Sequence, residues 1–419
     1  MHPGPSRRVC NILGKVLAGA VLLAAALAHG EDLRYELDYR FRLDPDAEQA
    51  AVTITLRQPR DLLRIVRFRH KPEWHSGFDG DGEVVVAADT VTWRPPASGG
   101  QLRYRSRISH QRRNGGFDSM ITRDWALFRG DDLVPPARVT TLKGARSRAR
   151  IRIDAPSGWS SITPFGKDVD KDRWIAIERT ERGFIRPVGW IVAGRIGTRW
   201  DDVGATRVVV AGPLQQGVRR MDILAFVRWH LPELSRVFPQ FPQRLLIVSA
   251  ADPMWRGGLS GPQSLYLHAD RPLISANGTS TLLHELVHVA QGLRGAPGAD
   301  WIVEGMAEYY SLEIMRRAGT LSQRRFDLAM SSLTRWGDDA EPGPVDRSRG
   351  PVTARGARIM YELDKELRAL TGGRSGLDAV AATLGSDDSR VGLDQLRRAA
   401  ESLAGAPLES LQPERIGIE

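Results

Sequence analysis

Cysteine is almost absent: Cys10 is the only one in 419 residues. A single thiol closes no intramolecular disulfide, so stability is expected to come from the core and not from cross-links. Long hydrophobic runs are missing as well. The run Val16–Ala28 falls short of the ~20 apolar residues that a spanning helix needs, so no membrane span is expected. Internal repeats, long linkers and blocks of like charge are also lacking. The formal net charge is +9, but the excess is arginine scattered along the chain. No nucleic-acid-binding motif accompanies it, and no nucleic-acid partner is expected. With 42% hydrophobic and 26% charged residues, the composition is that of an ordinary globular protein. The length suits two or three domains.

What is present begins with an export signal. Arg7 and Arg8 precede the apolar run, and Ala26-Leu27-Ala28 closes it with a small-x-small site. Together they read as a secretory signal peptide over residues 1–30, with cleavage after Ala28 or after Gly30 equally readable. Cys10 stands before the apolar run, where a lipoprotein signal would need it after. It is expected to leave with the signal, and the mature chain to be periplasmic or secreted.

Two regimes follow. Residues 31–213 read as a β-rich N-terminal domain. Leu33, Tyr35, Leu37, Tyr39, Phe41 and Leu43 alternate strictly with polar residues, the mark of a half-buried strand. Short runs at Val52–Leu56, Leu63–Phe68, Val91–Trp93, Leu102–Ile108 and Ala149–Ile153 continue the pattern between Gly, Pro and Asn breaks. Residues 214–419 change to a helical period, with short strands at Leu245–Val248 and Ser264–Leu267. Helices are expected near Val218–Leu231, Thr279–Leu293, Trp301–Ala318, Ser322–Arg335, Thr353–Leu370, Leu377–Leu384 and Leu393–Leu403. The fold class is therefore α+β, an all-β domain followed by a mainly helical one.

The chemistry lies in the second of these helices. His284-Glu285-Leu286-Val287-His288 fits H-E-x-x-H, a match that chance gives about once in a hundred chains of this size. Residues four apart share a helix face, so both imidazoles can grip one ion. Glu285, one residue round, stands beside that ion without having to ligate it. It can take a proton from the activated water and pass it to a leaving amine. Zn2+ suits the ligands, since it makes hydroxide available near pH 7. A third ligand is expected from Glu304, sixteen residues beyond His288 and on the next helix. Glu308, one turn further, is placed to accept the outer ring N–H of a ligand histidine and fix its tautomer.

These residues resemble the gluzincin metallopeptidases, in which H-E-x-x-H is followed by a glutamate ligand. Leu283–His288, Trp301–Tyr309, Arg355-Gly356-Ala357 and Thr371-Gly372-Gly373 with Gly376-Leu377-Asp378 carry the likeness. It is nearest to the glycyl aminopeptidases and more distant to the alanyl aminopeptidases. The resemblance implies a thermolysin-like catalytic domain with further helices and a peptide or protein substrate. It also implies a substrate-binding edge strand at Gly257, Gly258 and Leu259. A PDZ domain, frequent at the C-terminus of the glycyl group, is not expected. Two positions depart from the pattern. Ser260 stands where relatives carry the glutamate that holds a free amino terminus. Thr353 stands where they carry the tyrosine that donates to the developing oxyanion. Candidate replacements for that donor are Tyr361, Tyr266, Tyr310, His268 or an arginine. The expected function is an exported zinc peptidase, with endopeptidase action open because the amine-binding acid is missing. The alternative is a non-catalytic zinc-containing binding or assembly protein of the envelope.

Overall fold

The computed structural model describes residues 33–417 apart from 167–171, 179–182, 342, 344–345 and 386–389. The proposed signal peptide lies outside the described residues. Alternation builds the first half as expected. In Arg34–Asp44 the side chains of Tyr35, Leu37, Tyr39, Phe41 and Leu43 are buried, with polar residues between them. This strand pairs antiparallel with Gln49–Arg57 and parallel with Arg146–Asp154 inside a six-stranded sheet. A four-stranded sheet around Leu63–Arg69 and a five-stranded one around Trp125–Arg129 and Trp190–Gly194 complete the β layers. Phe41, Phe68, Trp93 and Phe128 fill the core among them. Trp125–Arg129 and Trp190–Gly194 escaped the sequence pattern for a physical reason. Both are buried on both faces, so their apolar residues run on without alternating.

The second half is built on another five-stranded sheet, in the order Ile196–Val203, Thr206–Pro213, Arg244–Ala250, Ser264–His268, Gly258–Gly261. Its first two strands precede residue 214, where the helical period begins. They nevertheless pair onward, Thr206–Pro213 running parallel to Arg244–Ala250. A parallel pair needs a crossover, and helix α1 (Arg220–Val237) provides it. Beyond the sheet come α2 (Thr281–Gln291), α3 (Asp300–Arg317), α4 (Gln323–Gly337), α5 (Pro351–Leu370), α6 (Leu377–Leu384) and α7 (Leu393–Ala404). Each falls within a few residues of its expected place. Among the described residues no helix is long and apolar enough to cross a membrane.

The two halves meet where Leu127, Trp190 and Val192 pack on Val209, Leu246, Val248 and Tyr266 of the second sheet, and along that sheet's outer two strands. The Trp190 indole N–H donates to the carbonyl of Leu259 at 2.9 Å, and its backbone N–H donates to Ser264 Oγ at 2.9 Å. On the upstream side the backbone of Phe117 exchanges hydrogen bonds with Pro253 and Trp255, at 3.0 and 2.9 Å. Arg112 stacks on the Trp255 ring, 3.7 Å from its centroid.

Helices α3 and α5 touch backbone to backbone. A Cβ added at Gly305 would lie 2.5 Å from the carbonyl carbon of Gly356, and one at Gly356 would lie 2.6 Å from the Trp301 oxygen. No side chain fits between them. Gly305→Ala is therefore expected to cost about 1–3 kcal/mol of stability by overpacking, read as a lower urea midpoint. An unchanged midpoint would mean that the helices part without penalty.

Candidate metal centre

Helix α2 starts where Ser280 accepts a hydrogen bond from the Leu283 N–H, and it ends at Gly292 in the left-handed conformation. These are ordinary start and stop devices. Leu282, Leu283, Leu286 and Val287 bury the helix, which leaves one face for His284 and His288. Their Nε2 atoms stand 3.1 Å apart. From α3, Glu304 brings Oε2 to 3.3 Å from His284 Nε2 and Oε1 to 3.3 Å from His288 Nε2. Zinc bonds of 2.0–2.1 Å in tetrahedral array put neighbouring ligand atoms about 3.3 Å apart. Each carboxylate oxygen of Glu304 thus faces a different imidazole at that spacing, and two imidazoles with a carboxylate form a donor set that fits zinc. Their side chains remain 13–26% exposed, so one side of the site stays open.

The surroundings supply fields of both signs. Burial alone would lower the His284 pKa, but Glu304 and Glu308 hold it well above its ordinary value. Burial would raise the Glu304 carboxyl, yet the two imidazoles hold it far below the usual carboxylate range. Glu308 Oε2 lies 2.9 Å from His284 Nδ1, the outer-ring position expected of it. An N–H there leaves Nε2 with its lone pair for a metal. Gln291, which the sequence reading did not single out, lies against the other ligand ring, with Nε2 3.1 Å from His288 Nδ1. It stands three residues after His288 on the same helix, and that spacing was the available signal.

Glu285 is buried to 8% exposure, and no hydrogen bond engages its carboxylate among the described residues. It packs on the edge strand. A Cβ at Gly258 would lie 2.7 Å from Glu285 Cγ and 3.1 Å from its Oε1, so only glycine admits the carboxylate there. The strand Gly258–Gly261 pairs on one side only, with Ser264–His268. The His268 amide bonds to the Gly257 carbonyl at 3.0 Å. Alternation along an antiparallel ladder then turns the N–H and C=O of Gly258 and Ser260 to the free edge. The Trp255 ring covers Gly257, where an added Cβ would strike it at 2.2 Å.

The expected replacements for an oxyanion donor are committed elsewhere. Tyr266 donates to the Trp255 carbonyl at 2.9 Å, and Tyr310 to Asp378 at 3.0 Å. Tyr361 packs on Tyr309 and Phe326, in the wall of a cavity of about 570 Å³ that also includes Glu313. Glu313 is nine residues beyond Glu304, half a turn round α3 and so opposite the metal face. The His268 imidazole faces Asp252 at 3.4 Å and accepts the Asp270 N–H. Thr353 sits in the first turn of α5, and Arg355-Gly356-Ala357 continues that helix. There Arg355 binds the Ala340 and Glu341 carbonyls, and Gly356 receives α3.

An all-β half joined to a mixed sheet and helices that carry such a site is the architecture of the M1-type aminopeptidase fold, and solved structures of that class match this chain. One is an aminopeptidase N family protein from Idiomarina loihiensis, with a TM-score of 0.64 at 13% identity, over 84% of this chain and 70% of that one. Another is an M1 zinc metallopeptidase from Deinococcus radiodurans, with a TM-score of 0.58 at 17% identity, over 92% of both chains. A two-domain M1 zinc metallopeptidase mutant bound to L-arginine matches at 0.58 and 15% identity, over 92% of this chain and 93% of that one. At these identities the likeness defines the fold. No family model matches the sequence, and no curated protein is recognisably similar to it.

The wild-type protein is expected to keep a single zinc through dialysis, measured by inductively coupled plasma mass spectrometry. Glu304→Ala is expected to lose it while keeping its far-ultraviolet circular dichroism. Equal retention by the variant would remove Glu304 from the ligand set.

Proposed function

We propose that this chain is an exported zinc metallopeptidase with Glu285 as its general base, nearest in kind to the glycyl and alanyl aminopeptidases. The observation that carries the reading is the cluster His284, His288 and Glu304, with neighbouring donor atoms 3.1–3.3 Å apart, beside a buried, unengaged Glu285. Zinc bound there supplies Lewis acidity and makes hydroxide available near neutral pH. The chain's own groups do the rest. An extended peptide adds as a further strand at Gly258 and Ser260, main chain to main chain. Glu285 takes the proton of the attacking water and returns it to the amine nitrogen as the C–N bond breaks. Gly258 keeps the carboxylate against the substrate strand. Glu308 holds the His284 ring in one tautomer.

Ser260 offers no charge to a free amino terminus, so peptides blocked at that end are expected to be accepted. This favours endopeptidase action over strict aminopeptidase action. The second reading, a zinc-containing binding protein of the envelope, is favoured by the tyrosines. Tyr266, Tyr309 and Tyr310 all donate away from the ligands. It is the weaker reading because a site that only held zinc would have no use for Glu285.

Glu285→Gln should keep its zinc and lose about 10²- to 10⁴-fold in peptide cleavage; hydrolysis at the parental rate would sink the mechanism. If the zinc-loaded wild type cleaves nothing in a peptide library that includes N-acetylated members, the binding-protein reading takes its place. Intact mass of the exported protein is expected to show a chain starting after Ala28 or Gly30, and retention of Cys10 would refute export by this signal.

A further inference from the structure

His284 and His288 are the same residue type on one helix face, but they are not held alike. His284 has a carboxylate behind it, Glu308, at 2.9 Å. Behind His288 stands a neutral amide, Gln291, 5% exposed. Its Nε2 lies 3.1 Å from His288 Nδ1 and 3.3 Å from the Val303 carbonyl. Its Oε1 is buried and makes no hydrogen bond. That arrangement suits an imidazole with its proton on Nε2, since an amide N–H can then donate to Nδ1. It does not suit a ligand. An Nε2 that gives its lone pair to a metal leaves the proton on Nδ1, and the Gln291 NH₂ would then face another donor. The acceptor that this proton requires is in the same side chain and unused. Turning the terminal amide by 180° exchanges two atoms of nearly equal size and sets Oε1 against Nδ1–H. The turn exchanges the long Nε2 contact to the Val303 carbonyl, which lies within α3, for Oε1 at that place.

We propose that Gln291 is the positioning residue of His288: its side-chain carbonyl accepts the Nδ1–H when His288 ligates the ion. The proposal rests on the metal centre described above and adds to it. Gln291 touches neither ion nor substrate; it acts through the ring. A neutral acceptor also spares the site another negative charge beside Glu285, Glu304 and Glu308. Outer-shell partners of this kind typically change metal affinity by about 10- to 100-fold.

The experiment is a zinc titration at pH 7 against a chromophoric chelator, on wild type, Gln291→Met and Gln291→Glu. Methionine keeps the bulk and removes the acceptor, while glutamate restores an acceptor. Gln291→Met is expected to bind zinc about 10- to 100-fold more weakly, with an unchanged thermal midpoint for the metal-free protein. Gln291→Glu is expected to bind at least as tightly as wild type. Gln291→Met binding like wild type, or both variants weakening equally, would overturn the proposal. Histidine ¹⁵N spectra of the zinc-loaded wild type test it without any variant. A slowly exchanging proton on His288 Nδ1 supports the proposal, and zinc on Nδ1 overturns it. A wild type that takes up no zinc would overturn the metal-centre reading itself, an outcome distinct from failure of the Gln291 arm alone.

Discussion

The site depends on how closely α3 can approach its neighbours. Glu304 faces the two imidazoles from α3, and α3 lies flush on α5 because Gly305 and Gly356 have no side chains. Glu304 and Gly305 are consecutive residues, so the ligand and the contact that seats its helix are set by one turn. Interiors pack like crystals and transmit small displacements. A ligand shell whose donors stand 3.1–3.3 Å apart is therefore fixed by backbone contact between α3 and α5, and not by flexible side chains finding one another.

Around this contact the protein divides labour between charge and burial. Helix α2 is apolar on most of its surface and brings its polar groups to one face. Glu308 and Gln291 answer the outer nitrogens of His284 and His288 from two different helices. The opposite face of α3 carries its own ion pairs, Arg316 and Arg317 with Glu313, and Arg317 with Asp378. Tyr309 and Tyr310 are drawn to that side, donating to Asp364 and Asp378.

Much of this was legible in the sequence, for reasons that differ by element. Helices α2 to α7 announced themselves by their period. Half-buried strands such as Arg34–Asp44 alternated visibly. Strands buried on both faces, Trp125–Arg129 and Trp190–Gly194, left no alternation to read. The hairpin Ile196–Pro213 read as β, yet its partner in the helical half came from the parallel pairing to Arg244–Ala250, which no local pattern encodes. The candidate ligands and Glu308 were legible in pairs, because His284 and His288 share a face of α2 and Glu304 and Glu308 share a face of α3; that the two faces meet is a matter of helix packing. The destinations of Tyr266, Tyr310 and Tyr361 were not, because a tyrosine at an apolar position looks the same whether its hydroxyl meets a carbonyl, a carboxylate or a substrate. Gln291 was hidden by being an ordinary polar residue at a helix end.

The outer strand of the second sheet can also be viewed as a mechanical part. It is held upstream by the Phe117 backbone and the Arg112–Trp255 stack, and at Leu259 by the Trp190 indole, whose backbone N–H also holds Ser264 on the neighbouring strand. Both sets of contacts come from the N-terminal half of the chain. A rail held in place beforehand loses little freedom when a peptide is laid along it. The β half thus serves as the frame against which the other half works, although none of its described residues is among the candidate ligands.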